Sequence, residues 1–292
     1  MYVGEVRIMI EKKPIVRSKL RAYLGKQYYT YKRYVKWILK SKNFSAWRSD
    51  KELKYEIFSH KTPLLRKLNN VDMQLQYNKI TNLQLAIDKI NGIIIKPGEI
   101  FSYWKLIGKP TYKKGYVDGL ILNPDGSFKA GEAGGLCQLS NMIYWITLHT
   151  PLKVVERYRH SHDIFPDAKR TQPFGSGATC VYNYLDLQIY NDSEVEYQLN
   201  LSINHEFLYG EWRSNEKGRY TYEIYEKEHF LTTGWWGGYI RNNIINRRVF
   251  NMFGEEVDDE LVTENHAIMM YEPFLEGSSN VVEEVASDKE HI

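Results

Sequence analysis

One cysteine of the sequence lies where its thiol could act as a nucleophile. Cys137 follows the pair Gly134-Gly135 in the stretch AGEAGGLCQLSNMIYWITLH, at the predicted start of a helix. The unsatisfied amides and partial positive charge of a helix start stabilise a thiolate, which is the reactive form of cysteine. Without side chains, the two glycines would let a substrate carbonyl approach and use their amides as oxyanion donors. The pattern is therefore compatible with catalysis by Cys137, although most unpaired cysteines are simply small buried hydrophobic residues.

A cysteine nucleophile needs a base, and histidine is the usual one because its pKa lies near operating pH. His160 and His162 occur in the stretch VVERYRHSHDIFP, in a predicted polar loop of the kind that often carries functional groups. The alternative for either residue is an ordinary surface histidine. His149 lies at the end of the cysteine helix, where we expect the helix dipole to stabilise its charged form.

The sequence predicts neither a metal site nor a cofactor. Cys137, His160 and His162 could share an ion, but they lack the paired spacing of zinc sites, and the glycines do not follow a nucleotide-binding pattern. The other cysteine, Cys180, is predicted to lie in the core of a strand. Two cysteines in a chain without an export signal predict reduced thiols rather than a disulfide framework.

The elements that must position these residues predict an α+β fold. Apolar residues at three- and four-residue steps predict a helix over residues 83–90, ended by Asn91-Gly92, and a second helix from Cys137 to about Thr150-Pro151. Strands are expected at 93–95, near 154–155, over 185–190 and, from strict alternation, over 195–203. Further β structure is predicted to about residue 275. We expect the cysteine helix to pack on a mostly antiparallel sheet.

Charge is distributed very unevenly along the 292 residues, although the net charge is only +3. Residues 1–48 contain 13 Lys and Arg against two acids, and residues 255–292 contain 12 acids against one Lys. In the basic segment, Tyr31, Val35 and Ile38 recur at helical spacing and are predicted to form an ordinary core face. The alternative is contact with anionic lipid headgroups. Binding to nucleic acid is not expected, because no nucleic-acid module accompanies the basic stretch.

Five motifs in order resemble those of the VanW family, which is named for an accessory protein of B-type vancomycin resistance clusters. The resemblance covers residues 75–205, and its most specific string is a glycine pair followed by one residue and Cys-Gln. The motifs are KPGEIFSYWKLIG, GYVDGLILNPDG, GEAGGLCQLSNMIYW, VVERYRHSHDIFP and FGSGATCVYNYLDLQIYND.

The resemblance implies L,D-transpeptidase-like chemistry, in which a cysteine takes an acyl group from a peptidoglycan stem peptide and passes it to an amine. It makes Cys137 the nucleophile, through a thioester, and His160 the base. The residues implied to hold substrate or oxyanion are Gly134, Gly135, Gln138 and Arg157, and His162 is a secondary candidate.

One position departs from the family pattern. The family usually has an aspartate in a Gly-x-Asp-Ala string that reads Gly175-Ser176-Gly177-Ala178 here. Any partner that this aspartate provides to the histidine is then missing, or is replaced by Asp186 or Asp163.

A non-catalytic accessory protein that binds cell-wall precursors near the membrane is the alternative function, and a membrane-bound scaffold is a third.

The predicted organisation has four parts. Residues 1–74 form a basic, aromatic-rich helical arm, 75–205 the VanW domain, 206–275 a β-rich extension and 276–292 an acidic, loosely structured tail. No signal peptide or membrane-spanning run is visible, which predicts a cytoplasmic protein. Peripheral contact with the membrane through the arm is the alternative to packing of the arm on the domain. The sequence assigns no oligomeric state.

Overall fold

The computed structural model describes residues 18–67, 72–123, 127–160, 162–163, 172–234 and 237–271, together with the backbone of 283–284. The helices of this part of the chain are α1 Lys19–Leu39, α2 Met73–Ile90, α3 Tyr103–Ile107 and α4 Cys137–Leu148. The first strands are β1 Tyr55–Pro63, β2 Arg66–Lys67, β3 Ile93–Ile95, β4 Ile100–Ser102, β5 Asp118–Leu122, β6 Phe128–Glu132, β7 Lys153–Glu156 and β8 His162–Asp163. The others are β9 Gln188–Tyr190, β10 Tyr197–Ile203, β11 Phe207–Ser214, β12 Tyr220–Thr233, β13 Tyr239–Asn251, β14 Glu256–Met269 and β15 Glu283–Glu284. The predicted α+β fold is confirmed.

The cysteine helix packs on an antiparallel four-stranded sheet. The strand order is β1-β11-β10-β3, and α4 contacts β1 and β11 while α2 contacts β10. The β10–β11 hairpin crosses the boundary predicted at residue 205, and β1 joins this sheet from the segment predicted as an arm. Smaller sheets pair β4-β9-β7, β5-β6 and β15-β2.

Helix α4 is buried along almost its whole length. Leu139, Ile143 and Ile146, which carry the predicted apolar face, have no exposed surface. On the facing strand β11, the Trp212 indole is fully buried and donates a hydrogen bond of 3.0 Å to the Thr147 hydroxyl. A buried indole N–H needs such a partner, so this bond fixes how the helix lies on the sheet.

A second four-stranded sheet carries a histidine of the candidate site. Strands β12, β13 and β14 form an antiparallel meander, and β8 adds to it parallel to β14. His162 and Asp163 are thereby aligned with Ile268 and Met269. Pairing with β14, which is distant in sequence, thus holds His162 and Asp163 in place.

Helix α1 docks through polar contacts, so the core face predicted for it is wrong. Its buried residue Arg33 binds both carboxylate oxygens of Glu156, at 2.6 Å for the nitrogen Nη1, and lies 3.8 Å from Asp186. Tyr31, Val35 and Ile38 are instead 66%, 53% and 73% exposed. The Arg33 guanidinium reaches the two carboxylates only if its side of the helix faces the domain. The apolar residues, which lie on the opposite side of the helix, therefore face away from the domain.

None of the helices in the described ranges combines the length and the apolar character needed to cross a bilayer.

The His149 imidazole at the end of α4 is buried and neutral, not charged as predicted. It is the C-terminal cap of the helix, where its ring stacks on Phe58 at 3.8 Å and its Nδ1 bonds the Trp145 carbonyl at 3.0 Å. Burial lowers its pKa to about 4. Desolvation here outweighs the dipole, which is worth about 1 kcal/mol, so the expected charge stabilisation is wrong.

We predict that replacing His149 with phenylalanine makes the fold less sensitive to acid. The folded-state pKa lies below the unfolded one, so the unfolded chain binds the extra proton and stability falls as pH drops from about 6.5 towards about 4. This loss amounts to about 3 kcal/mol at the lower end. Urea unfolding at about pH 7 and about pH 4.5 should show a smaller pH dependence for His149→Phe. An equal dependence in both proteins would contradict the assignment.

Candidate functional site

Cys137, His160 and His162 all line one cleft of about 670 Å³. Its walls come from the β5–β6 hairpin, the start of α4, the loop from Phe174 to Tyr182 and the segment around β8. A more polar groove of about 830 Å³ lies on the first sheet, beside Glu56, His60 and Glu211. We assign the candidate site to the first cleft, because a thiol, two imidazoles and the amides of a helix start meet there.

The start of α4 is held by a close approach between two backbones. A Cβ atom on Gly134 or Gly119 would overlap the other residue's backbone, and Gly135, at φ +92°, is covered by the side chain of Lys79. The fully buried Asn82 amide donates to the carbonyls of Gly134 and Val117, each at 3.0 Å. The glycines are therefore required for packing, whatever their amides do in catalysis.

Of the two glycine amides that were predicted to bind an oxyanion, one is already hydrogen-bonded within the protein. The Gly134 N–H donates to the Gly131 carbonyl at 3.1 Å within a turn, so it is already used. The amides of Gly135, Leu136 and Cys137 have no acceptor among the described residues, and all three residues line the cleft. The donors at the cleft therefore lie one residue further along the chain than the glycine pair suggests.

The Cys137 thiol is protonated at rest, contrary to the expectation from the helix start. The residue is half-buried, and burial raises the pKa of its thiol. Its closest polar partner in the described structure is the Cys180 carbonyl oxygen, 3.9 Å from Sγ. Loss of water around the sulfur outweighs the dipole of the helix.

The two histidines line the same cleft as the Cys137 sulfur. Within the described ranges, no hydrogen bond joins His160 to Cys137. Desolvation by the surrounding protein, together with neighbouring His162, lowers the pKa of His160, although its side chain keeps contact with solvent. Asp163 also lines the cleft, where it is buried and paired with Arg241 at 3.3 Å and Tyr271 at 2.8 Å. The site therefore holds a neutral thiol and a neutral His160 imidazole at rest.

Three predicted site residues lie outside this cleft and perform structural tasks: Gln138, Asp186 and Arg157. Gln138 donates to the Pro63 carbonyl at 2.8 Å and to the Thr62 hydroxyl at 3.2 Å, and so holds the end of β1. Asp186 is fully buried, accepting from the Ser102 hydroxyl at 2.6 Å and the Trp104 amide at 2.9 Å. Of the two replacements considered for the family aspartate, only Asp163 lies at the cleft.

Arg157 shapes the cleft from behind. Its Nε donates to the Gly177 carbonyl at 2.8 Å, Nη2 bonds the Gly175 carbonyl, and Nη1 reaches the Thr263 hydroxyl on β14 at 2.9 Å. The guanidinium also lies over the Tyr144 ring at 4.7 Å. These bonds use one donor on each of its three nitrogens, and Arg157 is not among the residues that line the cleft, so it positions the loop 174–180 from outside.

Gly177 leaves space that a neighbouring side chain fills. A Cβ at this position would lie 2.7 Å from Oδ1 of Asn141, the oxygen that accepts the Ala178 amide at 2.8 Å. An aspartate at position 177 would therefore displace the side chain of Asn141, which lies on α4. The departure from the family pattern has a physical reason in this chain.

Sequence reasoning missed a set of cations at the cleft. Lys26 from α1 and Lys109 line it, as does Arg159, whose pKa burial lowers to about 10. Cys180 also lines it and is buried as predicted, but it lies outside any strand. Of these three cations, only Arg159 could have been predicted from the sequence, because it directly precedes His160. The two lysines reach the cleft from parts of the chain that are distant in sequence from both motifs.

No group of three or more His, Cys, Asp or Glu side chains in the described part of the chain is arranged to bind a metal ion.

Most of the segments that line the cleft belong to a part of the chain that matches a known protein family. Residues 78–213 match the family model described as "VanW like protein". The chain is 34% identical over 175 residues to "Vancomycin B-type resistance protein VanW" of Enterococcus faecalis (strain ATCC 700802 / V583), covering 60% of this chain and 63% of that protein. It is 30% identical over 83 residues to "Uncharacterized protein YoaR" of Bacillus subtilis (strain 168), covering 28% of this chain and 27% of that protein. The matches thus span less than two thirds of either relative. No solved structure matches the chain.

We predict slow alkylation of Cys137 at neutral pH. Iodoacetamide reacts with the thiolate, and the raised pKa leaves little of it. In a Cys180→Ala variant, where Cys137 is the remaining cysteine, mass spectrometry should show slower labelling than of a free cysteine in the same buffer. The rate should rise as pH increases, and unfolding in urea should remove the difference. Labelling of the folded protein faster than the free thiol would contradict the neutral state.

Proposed function

We propose, because residues 78–213 match the VanW family model, that this chain acts on peptidoglycan stem peptides or their precursors by cysteine-dependent acyl transfer. The resistance role named for its Enterococcus relative is the setting that we propose for this activity. The observation that carries the chemistry is that Cys137, at the amide-rich start of α4, shares its cleft with His160 and His162.

The proposed reaction has two balanced steps. Sγ of Cys137 attacks a peptide carbonyl carbon, an S–C bond forms, the C–N bond breaks, and His160 moves the thiol proton to the leaving amine. An acceptor amine then attacks the thioester, a new C–N bond forms and the S–C bond breaks. His160 takes the proton from the amine and passes it to the sulfur, which regenerates the thiol. During both steps the free amides of Leu136 and Cys137 would donate to the carbonyl oxygen as its negative charge develops.

The resting protonation states favour a general-base route over a preformed ion pair. Burial disfavours both the thiolate of Cys137 and the imidazolium of His160. A neutral imidazole is the form that accepts a proton, so the pair needs no prior ionisation. Because no hydrogen bond joins the two groups in the resting cleft, substrate binding or rotation of His160 must close the gap.

The charges of the cleft suit a substrate that carries carboxylates. Lys26, Lys109 and Arg159 bring positive charge to its walls. Of the acids that also line it, Asp163 is paired with Arg241, and Glu132 accepts a hydrogen bond from the Tyr112 amide. Stem peptides end in carboxylates, which such cations attract. The same charges would also serve a protein that only binds these peptides.

A non-catalytic binding role is the second candidate, favoured by one observation. The sulfur of Cys137 is buried against the Cys180 carbonyl rather than paired with an imidazole. Under this alternative, stem peptides bind in the cleft but no covalent product forms.

We predict a covalent adduct on Cys137. After incubation with stem tetrapeptides and pentapeptides, intact-mass spectrometry should show the protein plus one acyl group. The adduct should vanish in Cys137→Ala and persist in Cys180→Ala, a matched control because both cysteines line the same cleft. Peptide binding without an adduct, across a broad panel, would favour the binding role.

We predict that His160→Asn slows adduct formation roughly a hundredfold or more, the usual contribution of a general base. His162→Asn is the neighbouring control and should have a smaller effect. The pH dependence separates catalysis from folding, because loss of the base should also remove the rise in rate that follows its deprotonation. Equal rates for His160→Asn and the wild type would eliminate His160 as the base.

A further inference from the structure

The outward side of α1 is an apolar stripe with no partner among the described residues. Large apolar side chains recur along it at steps that return to the same side of a helix, and all are more than half exposed. They are Leu20, Leu24, Tyr28, Tyr31, Val35 and Ile38. Exposed apolar residues that form a contiguous stripe, unlike single scattered ones, indicate an interaction site.

Positive charge flanks the stripe along the helix. Arg21 and Lys32 each follow directly after a stripe residue, about 100° further around the helix axis. Lys36 follows Val35 in the same way, but its ammonium donates to the Gln188 side chain of the domain at 3.3 Å. The helix from Lys19 to Leu39 contains no Asp or Glu. Apolar and aromatic residues bordered by Lys and Arg are typical of helices that lie in the interface of an anionic bilayer.

The docking of α1 keeps this side outward. The residues that face the protein are Arg33, held by Glu156, and Tyr34, whose hydroxyl is 2.8 Å from that of Tyr182. Trp37, one turn further along, packs against the core. The first turns of the helix, from Lys19 to Leu24, are exposed all around. The helix is thus anchored at its C-terminal half and projects from the domain at the other.

We propose that α1 lies in the plane of an anionic membrane surface, with its apolar stripe in the headgroup region and its flanking cations on the lipid phosphates. The choice of lipid over a second protein copy rests on charge complementarity. Two copies facing each other through this stripe would bring two basic helices without acids together, whereas an anionic surface neutralises them.

The same helix ties the membrane contact to the cleft. Lys26, on α1, lines the cleft together with Cys137 and His160. A protein held by α1 therefore carries the cleft next to the membrane surface, within reach of a substrate attached to it. This proposal concerns attachment alone and does not depend on chemistry at Cys137.

Vesicle sedimentation of the full chain tests the proposal. The protein should partition onto vesicles that contain phosphatidylglycerol and only weakly onto pure phosphatidylcholine, with binding that weakens as salt is added. Leu24→Glu combined with Tyr31→Glu should lower the partition coefficient roughly tenfold or more, because it places acids in the stripe. Both side chains are exposed, so circular dichroism should show an unchanged fold.

A matched control lies at another exposed apolar position. Met252 and Phe253, in the turn between β13 and β14, are 73% and 80% exposed and next to acids, so Met252→Glu with Phe253→Glu should leave binding unchanged. Cys137→Ala should also bind normally, which keeps this test separate from that of acyl transfer.

Three results would overturn the proposal. They are no partition of the full chain onto anionic vesicles, equal loss of binding in the Met252/Phe253 control, and a dimer in size-exclusion chromatography that the Leu24/Tyr31 variant abolishes. The third would assign the stripe to a second copy, and the first would agree with the stripe being covered by another part of the chain.

Discussion

The candidate site depends on the contact between two backbones that no side chain separates. Gly119 on β5 and Gly134 before α4 approach so closely that a methyl group on either would overlap the other. Asn82 locks the contact by donating to the Gly134 carbonyl, and the buried Tyr103 hydroxyl bonds the next carbonyl but one, that of Leu136, at 3.0 Å. The position of Cys137, and the direction of the free amides beside it, follow from this contact.

Two consecutive residues, Glu156 and Arg157, connect the N-terminal helix and the candidate site. Glu156, the last residue of β7, binds Arg33 of α1, whereas Arg157 binds the carbonyls of the loop that forms one wall of the cleft. Consecutive side chains of an extended chain point to opposite sides. One dipeptide therefore holds the N-terminal helix on one face and the site loop on the other.

Local pattern predicted the elements well, because helix and strand periodicity are properties of short segments. The start of α4 at Cys137, the end of α2 at Ile90 and strand β10 all agree with the expected positions. Burial was less predictable. The charge on His149 and the thiolate of Cys137 were expected from the helix dipole, but the surrounding protein, which the local sequence does not contain, decides both.

Contacts between distant residues were beyond local reasoning. Arg33 and Glu156 are 123 positions apart, and nothing in either segment indicates that they pair. Without that pair, the apolar spacing of Tyr31 and Val35 read as a core face. Likewise, the glycine pair suggested an open approach for a substrate, while the structure fills the same space with Gly119 and Lys79.

The contact between Gly177 and Asn141 has a consequence for sequence variation. The volume beside the Ala178 amide accommodates one polar side chain, which arrives either from the helix or from the loop. Substitutions at the two positions should therefore be correlated: a homologous chain with aspartate in the loop needs a smaller or differently directed residue on the helix. Grafting the aspartate alone would crowd the site, whereas exchanging both residues together would preserve its shape.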